Sequence, residues 1–204
     1  MERFLMTQSL LSSWSWIYSC YEGYEDEAVE SFMRTLRREP SERTEAMQGG
    51  INFENEVYKR LLGKPYEPHP EWEQGIAAAA EILNGAVTQV KAYCDIEVDG
   101  TKFLLYGILD ALKCGVIYDI KFSTKPIATN YEYGKYADNA QHPAYLRLIP
   151  EAYEFTYITS DGVDCYRETY RREETRPVEQ IIREFISSVD RMGYLPIYKE
   201  KWLA

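Results

Sequence analysis

Residues 106–122, YGILDALKCGVIYDIKF, set Asp110, Asp119 and Lys121 among side chains that otherwise belong in an apolar core. Two apolar runs flank Cys114-Gly115, which reads as the tight turn of a hairpin. With that two-residue loop Lys113 stands opposite Val116, and Asp110 falls directly opposite Asp119. Directly opposed side chains share one face of a sheet, with Cβ atoms about 5 Å apart. Lys121 returns to the same face by strand alternation, while Ile120 points into the opposite layer. Two carboxylates that close in a low-dielectric strand do not both stay ionised unless a cation lies between them. A buried ion pair of Lys121 with either acid would gain little over apolar residues. The expectation is a cation site.

The flanking pattern supplies the rest of the fold. Residues 87–98, VTQVKAYCDIEV, turn at Asp99-Gly100 into 101–112, so three antiparallel strands run in succession. Upstream, helical spacing places Val29, Phe32, Met33 and Leu36 on one face of residues 24–39, ended by Pro40. Residues 49–63, GGINFENEVYKRLLG, carry the stripe Phe53, Val57 and Leu61 between Gly50 and Gly63, and a third helix spans 71–84. Downstream come a helix in ADNAQHPAYLRLI with Pro143 in its first turn, and a hairpin turning at Asp161-Gly162. The amphipathic 177–193 follows, with Val178, Ile181, Ile182, Phe185, Ile186 and Val189 inward. This order predicts an α/β fold, a central mixed β-sheet flanked by helices, in a single domain over 1–204.

Composition narrows the function. The net charge of -10 argues against a broad basic face that coats nucleic acid, but phosphate chemistry can run in an acidic cleft filled by divalent cations. Eighteen tyrosines exceed what packing alone asks, so some are expected to line a binding surface. Cys20, Cys94, Cys114 and Cys165 are widely spaced and read as reduced thiols. His69 and His142 are too few for a histidine zinc site. The N-terminal apolar run is broken by Gln8 and by serines, and no run reaches membrane length, so a cytoplasmic protein without a membrane partner is expected. No Walker-type loop or G-x-S-x-G elbow occurs.

Gly107-x-x-Asp110 followed by Asp119-Ile120-Lys121 resembles the signature of the PD-(D/E)xK nuclease superfamily, with Asp110 and Asp119 as the acids and Lys121 as the lysine. GGINFENEV resembles the helical motif of its RecB-like branch, with Glu54 at the glutamate and Glu56 as the competing candidate. Phe53 stands where several relatives carry a metal-binding histidine, which leaves an all-oxygen site suited to Mg2+ or Mn2+. Gln141 and Tyr145 match a Q-x-x-x-Y motif of the same branch, four residues apart on one helix face, where they could hold the site or the DNA backbone. TQSLLSSWSWIYSC is similar to the opening segment of RecB-like exonucleases. Their iron–sulfur versions carry a C-terminal trio of cysteines that this chain lacks after Cys165, so no cluster is expected.

The resemblance implies a restriction-endonuclease-like αβββαβ core and metal-dependent hydrolysis of DNA phosphodiesters, of phage-exonuclease type, in recombination or repair. It implies Asp110, Asp119, Glu54 and the Ile120 carbonyl as metal ligands. Lys121 would orient the attacking water or offset charge in the transition state. Implied partners are DNA and a single-strand-annealing protein, with oligomers allowed. Lys125, Lys135, Arg167, Arg171 and Arg172 are candidates to track phosphates, and Tyr131, Tyr133 and Tyr136 to stack on bases. Two other readings stay open: a catalytically silent nucleic-acid-binding or scaffold protein of the same fold, and a small acidic interaction domain.

Overall fold

Because β-strands bury one or both faces against helices, the apolar runs organise the chain into three layers. A computed structural model describes residues 2–40, 43–65, 67 and 69–204. Strand β1 (Arg3–Thr7) leads into α1 (Gln8–Ser19), followed by α2 (Glu25–Arg37), α3 (Glu45–Leu61) and α4 (Glu73–Leu83). Then come β2 (Val87–Val98), β3 (Thr101–Lys113), β4 (Val116–Phe122), the short α5 (Ile127–Asn130), α6 (Gln141–Leu148), β5 (Glu154–Ser160) and β6 (Cys165–Arg171). The chain closes with α7 (Val178–Arg191) and α8 (Leu195–Lys201). From α3 onward the order is the expected αβββαβ, and the six strands form one mixed sheet flanked by helices.

Helices α1, α6 and α7 cover one face of the sheet, and α3 and α4 cover the other. The first layer holds Leu105, Leu109, Ile117, Phe155, Tyr157, Ile182 and Phe185. The second holds Phe53, Val57, Ile76, Ala111, Ile120 and Ile158. No helix among the described residues is long and apolar enough to cross a membrane.

Several local expectations need correction. The helix expected to begin near Gly50 starts at Glu45, where the Thr44 hydroxyl caps it by accepting from the Met47 amide at 3.2 Å. Val29 faces solvent, and Ala28 takes its place with Phe32 and Leu36. Ile186 is only partly buried, and Ser188 joins the inner face of α7. The β5–β6 turn has four residues, not two, since Ser160 pairs with Cys165. Asp161 Oδ1 accepts from the amides of Val163 and Asp164, and this side-chain turn replaces a two-residue one. Four elements have no counterpart in the sequence reading: β1, α1, the short α5 and the C-terminal α8.

The hairpin that frames the site is as expected at its tip. Cys114 and Gly115 take φ of 50° and 77°, and Lys113, Leu112 and Ala111 pair with Val116, Ile117 and Tyr118. The ladder then stops one residue short of Asp110 and Asp119. Strand β2 runs along one edge of β3, whereas the other edge is divided between β1, paired at 102–106, and β4, paired at 111–113. Between them the sheet forks, and residues 107–110 face the fork.

Candidate active site

At the fork β3 also changes phase. Leu105, Leu109 and Leu112 pack in the first layer, but Ala111 packs in the second, so the alternation slips at Asp110. The direct opposition of Asp110 and Asp119 is therefore replaced by a closer engagement. Asp110 Oδ2 accepts from the Ile120 amide at 2.8 Å, spanning the gap where the ladder ended. Ile120 itself is buried in the second layer, as its place between two polar residues required.

Asp119 is 2% exposed. Its Oδ1 accepts from Gln141 Nε2, and Lys121 Nζ lies 2.7 Å from its Oδ2. The ammonium therefore partners Oδ2, whereas Gln141 Oε1 is a buried oxygen without a hydrogen-bond partner. Such an acceptor costs about 1–3 kcal/mol unless a donor or cation reaches it. Burial, then the charges of Asp119 and Glu54, push Asp110 well above the usual carboxylate range, against the Ile120 amide and Lys121. Burial pulls the Lys121 ammonium down, but the Asp119 carboxylate outweighs it and holds the group charged.

Glu54, on α3, faces the site; Glu56 does not and pairs with Lys59 at 2.7 Å. Burial raises the Glu54 carboxyl, the Tyr58 hydroxyl opposes that rise, and the charge of Asp119 adds to it. Phe53 is fully buried and stacks on Phe122 at 5.0 Å, so it serves the core. Tyr145 and Gln141 share a helix face, but both are buried and turn inward. The Tyr145 hydroxyl donates to the Ile108 carbonyl at 2.9 Å, in the fork. Its ring lies on Gly107, where a Cβ would sit 2.5 Å from Tyr145 Cε1, and this contact accounts for glycine at that position. The DNA-backbone alternative for the pair is thereby set aside.

The candidate DNA-tracking residues divide. Arg172 donates to the carbonyls of Leu146, Ile149 and Ala152, so it closes the C-terminal end of α6 and is not a phosphate contact. Lys125, Arg167 and Arg171 are exposed. Lys135 Nζ lies 4.3 Å from the Tyr131 ring centroid and 4.9 Å from that of Tyr136. Tyr136 stacks on Tyr157 in the first layer, and Tyr133 is open to solvent. His142 is buried, stacked on Tyr170, and burial lowers its pKa to about 4. Two polar residues escaped the sequence reading. Buried Glu168 accepts from Tyr131, Tyr170 and the Gly134 amide and so anchors the loop that carries Lys135. Gln89 bonds Glu54 and Tyr58. Neither sits in a recognisable motif.

Among the described residues no three His, Cys, Asp or Glu side chains already form a metal cage. The oxygen-rich fork nevertheless suits a hard divalent cation: two acids, one with a raised proton affinity, beside the unpartnered buried Gln141 Oε1.

No family model and no curated protein matches the sequence. Among solved structures, the fold is similar to that of SSO0001, with a TM-score of 0.53 at 14% identity over 95% of this chain and 78% of that one. LHK-Exo in complex with dAMP aligns over 92% of this chain and 91% of its own, with a TM-score of 0.48 and 14% identity. At such identity the likeness to SSO0001 is one of fold.

Proposed function

We propose that this chain is a metal-dependent deoxyribonuclease of the PD-(D/E)xK type, an exonuclease acting in DNA recombination or repair. The observation that carries the reading is the convergence of Asp110, Asp119 and Lys121 at the fork of the sheet, with Asp119 held from behind by Gln141. The phage setting, a strand-annealing partner and the RecB-like branch rest on the sequence resemblance.

In this reading Asp110, Asp119 and the Ile120 carbonyl hold Mg2+ or Mn2+, and Glu54 completes the oxygen set. Such a cation polarises a phosphate and makes a bound water more acidic. The chain's own residues do the rest. Lys121 places a fixed positive charge beside Asp119, where it orients the attacking water or offsets charge on the phosphate. Gln141 and Tyr145 are positioning residues: the first fixes the rotamer of Asp119, and the second ties α6 to β3 at Ile108. Lys135 and the exposed Lys125 are proposed to meet the phosphate backbone.

Incubating the protein with linear DNA and Mg2+ or Mn2+ tests this. The wild type is expected to degrade DNA and to stop on chelation, and Lys121→Ala to lose about 100- to 1000-fold, as for removal of a transition-state donor. Asp119→Ala is expected to be silent. Equal degradation by all three proteins would reject the assignment, and DNA binding without cleavage in any metal would favour the silent scaffold.

A further inference from the structure

Gln89 lies in the interior of β2 with φ of 53°, a left-handed conformation rare for a residue with a side chain. Its neighbours Thr88 and Val90 pair with Ala111 and Leu109, so Gln89 stands across from Asp110, yet is not itself paired. Both strands are thus disturbed at one register position. Glycine would hold this φ without strain. Glutamine at the position therefore calls for a use of its carboxamide.

That use is visible in the hydrogen bonds. Gln89 Nε2 donates to Tyr58 Oη at 2.8 Å and to Glu54 Oε1 at 3.1 Å. Tyr58 Oη in turn lies 2.7 Å from Glu54 Oε1, to which it donates, and 3.3 Å from the Asp110 carbonyl. Glu54 Oε1 is engaged twice, which fixes the carboxylate at a place where it feels the charges of Asp119 and Lys121. Tyr58 also ties α3 to the backbone of the first acid.

We propose that Gln89 is a positioning residue whose distorted backbone delivers its carboxamide to Glu54 and Tyr58, holding Glu54 as the third carboxylate ligand of the cation. This rests on the nuclease reading above. It explains why the phase slip of β3 is matched in β2, and why an exposed strand residue keeps an unfavourable conformation.

The test uses Gln89→Gly, Tyr58→Phe, their double variant and Glu54→Gln in the full chain. Mn2+ binding without DNA is measured by titration calorimetry, and thermal midpoints are measured in chelator. Gln89→Gly is expected to lower Mn2+ affinity about 10-fold or more, the usual effect of removing an outer partner of a ligand. Its thermal midpoint should not fall, because glycine relieves the backbone. Tyr58→Phe should weaken Mn2+ to a similar degree, and the double variant should lose much less than the product of the two, since both act through one oxygen. Wild-type affinity in Gln89→Gly, or a loss that only follows a lowered midpoint, would overturn the proposal while leaving the nuclease reading intact. Failure of the wild type to bind Mn2+ or cleave DNA would overturn both.

Discussion

Replacing Gly107 by alanine sets a methyl group against the Tyr145 ring. The added Cβ would lie 2.5 Å from Tyr145 Cε1, 3.1 Å from its Cδ1 and 3.0 Å from Leu148 Cδ1. The ring cannot swing clear without losing the 2.9 Å bond from its hydroxyl to Ile108, and it is already 6% exposed. Overpacking of this kind costs about 1–3 kcal/mol. Alanine in a strand recovers about 0.5–1 kcal/mol relative to glycine. The net loss is then up to about 2.5 kcal/mol, a fall of up to about 10 °C in thermal midpoint for a chain of this size. The decisive measurement is a double-mutant cycle with Tyr145→Ala, followed by thermal and urea unfolding. Without the ring, Gly107→Ala should be neutral or stabilising. Because α6 begins at Gln141, the single variant should also cleave DNA more slowly, through a loosened Gln141–Asp119 contact. An equal loss of stability with and without the ring would refute the reasoning.

Arg172→Ala is expected to cost about 1.5–3 kcal/mol, since it strips a charged donor from three carbonyls. Arg172→Lys should recover only part, because one ammonium cannot reproduce the guanidinium fork. Neither should change the salt slope of DNA binding by the folded protein, which a lost phosphate contact would lower by about one. Asp110→Asn tests the crowded acids in chelated protein. The raised Asp110 pKa means that its protonated form supports the fold below the ordinary aspartate range, about 3.9, and that this support is lost as pH rises through the raised value. Asparagine does not ionise and still accepts from the Ile120 amide. Its advantage over wild type should therefore grow with pH to about 1–3 kcal/mol at neutrality. Denaturant midpoints from pH 4 to 8 check the sign, and an advantage that shrinks with rising pH would contradict it.

What was legible in the sequence follows the range of each interaction. Strands β2, β3 and β4 and their turns could be read to within a residue, because alternation and the Asp-Gly and Cys-Gly dipeptides act over neighbouring positions. The same holds for α7, whose inward stripe is local. Strand β1 was missed because its role is set by a parallel partner about a hundred positions away. Helix α8 was missed because it is held by Tyr198 donating to the Leu5 carbonyl and by Trp202 donating to the Leu36 carbonyl, both distant in sequence.

The set of candidate residues divides in the same way. Sequence by itself placed two acids and a lysine on adjacent strands, because a two-residue turn joins the two apolar runs that carry them. Only the tertiary structure decided how they meet. The end of the β3–β4 ladder, the phase slip at Asp110, the choice of Glu54 over Glu56, the inward turn of Gln141 and the strained Gln89 all depend on what packs against the strands from other parts of the chain. A sequence pattern records which faces an element offers; which of them is filled, and by which atoms, is settled by contacts between residues that the chain order keeps far apart.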